Sequence, residues 1–280
     1  MLCFTVLFKV NTIKVKNNTF YSAEELISRS GIQKGDSLFA FSAGDTEKML
    51  VDRFPYLQDV KIQRRLPTTI IINVTEERPV GAAYTEDGYA VLSYSGKVLK
   101  TGVSAPPGDI PVLLGLEDET FTVGGYLYQL SEGQDGKKTR VLSEKVQELQ
   151  NFLDTAEELG LDSLTYIDIT DNGEIRVLYD GRILIDFGGE IDLDKKITFV
   201  LKVLEDGIAN EHPLSGYTNE NFEGTIDITN RKQLRTRAIA INTIRDERAF
   251  TVFEENDAFF ADDTKQESLP EGLELSLIHI

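Results

Sequence analysis

Four short pairs constrain this chain more than any other feature: Asp87-Gly88, Ser95-Gly96, Asn172-Gly173 and Asp180-Gly181 each stand between runs rich in β-formers. A tight hairpin needs positive φ, which glycine adopts freely and Asp or Asn tolerates better than most residues. Beyond Pro79 the pattern therefore predicts a meander-rich sheet of short strands. Its consecutive members fall at 164–170, 174–179 and 182–187, with a last strand at 225–230. Two helical periods interrupt it, at 139–159 before Gly160 and at 192–204 before Gly207.

The residues before Pro79 keep a different rhythm. Positions 10–15 alternate with one slip and close on the turn Asn17-Asn18. Ser22 with Glu25 three positions later forms a capping-box pattern that opens a helix over 23–30, and Gly31 stops it. A second helix over 45–54 places Met49, Leu50 and Phe54 on one side and ends at Pro55. Strands at 59–64 and 68–76 follow, separated by Leu66-Pro67. The expected fold class is α+β: a βααββ module, then a mixed β-rich domain with two helices.

Composition narrows the function. With 280 residues, 41% hydrophobic and 27% charged, the chain suits a globular core and neither a disordered polyelectrolyte nor a multi-span membrane protein. A net charge of −18 would repel phosphate backbones, so nucleic acid is disfavoured. Cys3 is the one cysteine, which leaves no intrachain disulfide and no thiolate cage. His212 and His279 are the only histidines, and His212 reads as a loop residue before Pro213 with no nucleophile elbow nearby. Asp168-x-Thr170-x-Asn172-Gly173 begins like a calcium loop, but Tyr179 stands where a bidentate Glu is needed, so it reads as a hairpin. Glu190, Asp192 and Asp194 gather carboxylates, yet Asp192 is more simply the acid that opens a helix. Gly124-Gly125 lacks the context of a phosphate loop. The expectation is a chain without catalytic residues, cofactor or metal.

The segments NTIKVKNNTFYSAEELISRSGIQKGDSLF (11–39) and PYLQDVKIQRRLPTTIIINVTEERPVG (55–81) resemble the POTRA module of the FtsQ/DivIB family of bacterial division proteins. GYAVLSYSGKVL (88–99), DIPVLLGL (109–116) and GTIDITN (224–230) resemble, in family order, its adjoining β domain. The resemblance implies a POTRA domain at 9–79 and an FtsQ/DivIB-type β domain at 80–230, with 231–280 left as an acidic tail. The apolar run Leu2 to Phe8, far short of the roughly 20 residues that span a bilayer, reads either as the start of a buried strand or, by the resemblance, as the remnant of a transmembrane helix at 1–8. LSLIHI at 275–280 resembles a translated sequencing adaptor. By the same resemblance the chain is a non-enzymatic divisome scaffold of the cytoplasmic membrane, its bulk extracytoplasmic at the septum. It would bind FtsL-like and FtsB/DivIC-like membrane proteins. The competing class is a POTRA-containing envelope assembly or secretion accessory.

The family places partner binding at the last strand. Alternation puts Ile226 and Ile228 toward the core and Thr225, Asp227 and Thr229 outward, with Asn230 and Arg231 flanking. A partner would add its own strand there, and 59–62 offers a second edge. Arg231, Lys232, Arg235, Arg237, Arg245 and Arg248 form the one local reversal of the acidic field, and Arg64-Arg65 repeats it on a smaller scale. Both read as solvated faces or as contacts to an acidic partner or anionic lipid.

Residues 251–280 carry one Lys against eight acids with no sustained period. Such a segment buries too little apolar surface to offset its ordering entropy. Deleting 251–280 is expected to leave the denaturant midpoint and m-value unchanged in an equilibrium unfolding titration; a fall in either would show that the segment packs.

Overall fold

Ser22 is extended, and its side chain accepts the Glu25 N–H, so the helix after it begins where an otherwise orphaned donor is satisfied. This helix, α1 (Ala23–Ser30), ends on Gly31 in the left-handed conformation. Ser42 repeats the device through the Asp45 N–H and opens α2 (Ala43–Arg53). The computed structural model describes residues 8–108, 110–132, 138–170, 173–208, 224–229 and 235–238. Three strands complete the first module: β1 (Thr12–Lys16), β2 (Leu57–Arg65) and β3 (Thr69–Glu76), in the order β1-β3-β2. The central strand β3 runs parallel to β1 and antiparallel to β2. Leu26 of α1 and Leu50 of α2 pack with Ile70, Ile72 and Val74 of β3 in one buried cluster. This is the expected βααββ order.

The chain divides into two compact units that do not follow its order. The first holds the residues up to Val80, Asp87–Ser104 and Thr120–Tyr128. Within it β5 (Gly88–Ser93) and β6 (Val98–Val103) form an antiparallel hairpin. A buried polar knot ties this hairpin to β2. Lys97, 2% exposed, donates from Nζ to the Leu57 carbonyl of β2 at 2.8 Å and lies 5.8 Å from the Tyr126 ring centroid. Ser95 Oγ donates to the buried Glu77 carboxylate. Burial lowers the Lys97 pKa, and the charges of Glu77 and Asp52 work against that shift.

The second unit holds Gly81–Glu86, Ala105–Glu119 and the residues from Gln129 onward. Its strands are β4 (Pro79–Thr85, entering from the first unit), β7 (Val112–Leu114), β10 (Leu164–Asp168), β11 (Ile175–Tyr179), β12 (Ile183–Gly188), β13 (Gly224–Asp227) and β14 (Arg235–Ala238). They lie in the order β14-β13-β12-β11-β10-β7-β4. A separate ladder pairs β8 (Tyr128–Glu132) with β9 (Lys138–Leu142). Two helices, α3 (Glu144–Leu159) and α4 (Leu193–Ile208), sit in the crossovers from β7 to β10 and from β12 to β13. Both junctions are parallel, and a parallel pair needs such a crossover. The Phe152 ring of α3 lies 5.8 Å from the Phe187 ring of β12, and both are fully buried.

Three local expectations change. The sheet is mixed as expected but less of a meander than the hairpin pairs suggest, because β4-β7, β7-β10 and β12-β13 are parallel. The helix expected from 139 begins at Glu144 after its cap Ser143, and 138–142 form β9 instead. The helix α4 passes through Gly207 and ends at Ile208. Asp180-Gly181 does turn β11 into β12, with φ of 52° and 65°. Asn172 of the neighbouring pair lies outside the described residues. No helix among the described residues is long and apolar enough to cross a membrane.

Gly115 follows β7 at φ 92°, and a Cβ there would come within 2.5 Å of the Ile169 and Thr170 backbone. Gly160, at φ 82°, faces open space. Gly115→Ala is expected to cost about 2–4 kcal/mol and Gly160→Ala about 1 kcal/mol in denaturant melts, since only the first adds a backbone clash to the strain. Equal losses would mean that the close approach carries no energetic weight.

Candidate partner-binding edge

The strand expected to end the sheet does not end it. β13 runs parallel to β12 through Ile183↔Gly224 to Asp186↔Asp227, and β14 pairs with its other side through Gly224↔Ala238 to Asp227↔Arg235. Thr225 is thus held between Leu184 and Arg237. Ile226 and Ile228 are fully buried, as alternation requires. Asp227 does not face solvent as expected: it is 5% exposed, because both faces of this strand are covered. Thr229 is exposed, and its N–H and Oγ1 both donate to Asp227 Oδ1, at 2.9 and 2.7 Å. Asn230, Arg231 and Lys232 lie outside the described residues, as do Arg245, Arg248 and His212.

The terminal strand is β14, which among the described residues pairs on one side only. The direction of its outer donors follows from the ladder. Ile228 N–H donates to the Asp186 carbonyl of β12, so the N–H groups of Thr225 and Asp227 turn toward β14. The pairs Thr225↔Arg237 and Asp227↔Arg235 then exchange hydrogen bonds, and the backbone N–H groups of Thr236 and Ala238 point to the open edge.

A row of charge runs across the strands behind that edge. Asp168 of β10 stands opposite Arg176 of β11, Arg176 opposite Asp186 of β12, Asp186 opposite Asp227 of β13, and Asp227 opposite the backbone position of Arg235. Arg176 Nη2 donates to Asp168 Oδ2 at 2.6 Å, and both side chains are buried. Asp168 Oδ1 also accepts the Thr170 N–H and hydroxyl. Asp186 Oδ1 accepts the Gly188 N–H at 2.8 Å. Its carboxyl is pushed up to about 6, first by burial and then by the charge of Asp227, against the pull of Gly188 and Arg176. Lys196 of α4 donates to the Phe187 and Gly189 carbonyls, and burial lowers its pKa while Asp186 opposes the shift.

The signal for this row was in the sequence. Ile167-Asp168-Ile169-Thr170 recurs as Ile226-Asp227-Ile228-Thr229, and in both copies the Asp accepts from the Thr two residues on. Of the carboxylates gathered in the sequence, Asp168 holds Arg176, and Asp192 accepts a hydrogen bond from Lys195 Nζ at 3.2 Å. The second edge, β2, is partly closed. Ile62 N–H donates to Glu47 Oε1 of α2 at 2.7 Å, so a helix side chain occupies a donor that an added strand would need.

A family model described as POTRA domain, FtsQ-type, matches residues 8–77. A cell division protein DivIB of Geobacillus kaustophilus is 34% identical over 110 residues, 39% of this chain and 42% of that protein. A DivIB of Clostridium tetani is 22% identical over 224 residues, 80% of each chain. A cell division protein FtsQ of Corynebacterium glutamicum is 30% identical over 109 residues, 39% of this chain and 48% of that relative. The match thus spans less than half of the first and third of these relatives and most of the second.

Because the folded pKa of Asp186 is raised, its contribution to stability is full below the ordinary carboxylate range and is lost as pH rises through about 6. Asp186→Asn keeps an acceptor for Gly188 and removes that loss. Melts at neutral pH are expected to show the variant more stable by up to about 2–3 kcal/mol, with the gain vanishing near pH 4. No gain at neutral pH would show that the ionised carboxylate is fully accommodated.

Proposed function

We propose that this chain, which resembles FtsQ and DivIB cell division proteins in its POTRA module and beyond it, serves as a non-enzymatic divisome scaffold that recruits partners by strand addition. The open edge of β14 carries this reading. An edge strand offers a row of backbone donors and acceptors, and each hydrogen bond gained with a partner strand contributes about 0.5–1.5 kcal/mol net. The partners of this reading are FtsL-like and FtsB/DivIC-like membrane proteins. The work is done outside the cytoplasmic membrane at the septum, by a POTRA domain over 9–79 and a β domain over 80–230, with the full-length protein anchored by an N-terminal helix. Within the segment from Thr225 to Arg231, β13 would act from behind, holding β14 in register while the incoming strand pairs with β14 itself.

The edge can be tested without breaking the sheet. Asp227→Pro would remove a donor turned toward β14 and so damage the internal pairing. Thr236→Pro removes a donor turned to the open side and spares that pairing. Titration with purified FtsL–FtsB/DivIC-type ectodomains is expected to show Thr236→Pro weakening binding about tenfold, while circular-dichroism melts of variant and parent coincide. Parental affinity in a folded Thr236→Pro would overturn the proposed edge.

A further inference from the structure

One end of the βααββ module departs from the acidic character of this protein. The chain entry at 8–11, the loop at 33–41 and the β2–β3 turn at 64–68 meet there. Leu38 N–H donates to the Phe8 carbonyl, Val10 N–H to the Asp36 carbonyl, and Asn11 N–H to the Thr68 carbonyl. Arg64 fastens the loop to the turn: its Nε donates to the Leu38 carbonyl at 2.7 Å, its Nη2 to the Phe41 carbonyl at 2.9 Å, and its guanidinium lies over the Phe41 ring. The result presents large apolar side chains to water. Phe39 is 57% exposed, in edge contact with Phe8, and Leu66 is 61% exposed.

Around these side chains the charge is reversed. The three segments contain Lys9, Lys34, Arg64 and Arg65 against one acid, Asp36, in a chain whose net charge is −18. Lys9, Lys34 and Arg65 are exposed, while the Asp36 carboxylate accepts the Gln33 N–H. The apolar run Leu2 to Phe8 leads in sequence directly into this end. Exposed Phe and Leu framed by Lys and Arg fit the boundary between acyl chains and anionic headgroups, where the rings enter the apolar layer and the cations meet phosphate. An anionic bilayer supplies both at once, acyl chains for Phe39 and Leu66 and phosphate for the cations around them.

We propose that this end of the module docks on an anionic lipid bilayer, with Phe39 and Leu66 inserted and Lys9, Lys34 and Arg65 on the headgroups. The inference does not depend on the partner-binding edge of β14. The test is flotation of the full chain with vesicles of phosphatidylcholine alone or with about 30 mol% phosphatidylglycerol. The expected result is binding to the anionic vesicles only, lost in about 0.5 M salt. Phe39→Ser with Leu66→Ser should reduce the bound fraction about fivefold, and Arg65→Glu alone by a similar factor, whereas Lys48→Glu on α2 should change little. Circular dichroism checks the fold of each variant, and Arg65→Glu keeps the test decisive if the double variant misfolds. Absence of binding to anionic vesicles, equal binding to neutral ones, or full binding by the folded variants would each overturn the proposal.

Discussion

A carboxylate inside a β-sheet must be hydrogen-bonded, paired with a cation or neutralised, and the carboxylates from Asp168 to Asp227 meet this demand in different ways. Asp168 is paired with Arg176 and accepts from Thr170. Asp227 takes two hydrogen bonds from Thr229. Asp186, between Arg176 and Asp227 in the register, is the group pushed toward its neutral form. Such a row contributes little net stability, because the desolvation of each charge offsets most of the attraction. Its larger effect is on register. Sliding β11 by one residue would move Arg176 to the opposite face and leave Asp168 buried without its cation, so the row penalises alternative pairings more than it favours the native one.

That constraint reaches the end of the sheet. β13 is four residues long and β14 is four, too short to define their own register by hydrophobic pattern alone. Ile226 anchors β13 on one face, and Asp227 locks it on the other through the same turn that closes β10. The shared Ile-Asp-Ile-Thr motif is therefore a device for ending a buried strand: the Asp satisfies the first backbone donor past the ladder and takes up the hydroxyl beside it.

Elements specified by neighbours in sequence were legible, and elements specified by distant partners were not. Ser22 with Glu25, Gly31 and the Asp180-Gly181 turn are local devices, and each appears where the residues alone place it. The parallel junctions at β4-β7, β7-β10 and β12-β13 depend on crossovers, which leave no local mark beyond the presence of a helix. Residues 139–142 fit a helical period because Val141 and Leu142 suit either periodicity, and only the pairing with β8 decides for strand. Asp227 was misread for a different reason. Alternation separates the two faces of a strand but does not say that one of them is wet, and here neither is. β14 escaped notice because Arg235-Thr236-Arg237-Ala238 reads as part of a basic cluster.

The two sheet edges are protected in different ways. At β2 the helix that packs on the sheet also reaches its rim, and Glu47 occupies the Ile62 donor, so backbone groups that could template a foreign strand are satisfied internally. At β14 protection is of another kind. The strand spans four residues, two of them arginines, and short charged edges resist pairing with copies of themselves because like charges brought opposite one another destabilise the ladder. Covering an edge with a side chain closes it to every partner. Charging a short edge closes it only to strands that lack the complementary charge, so selectivity at such an edge comes from side chains while the backbone supplies the common hydrogen bonds.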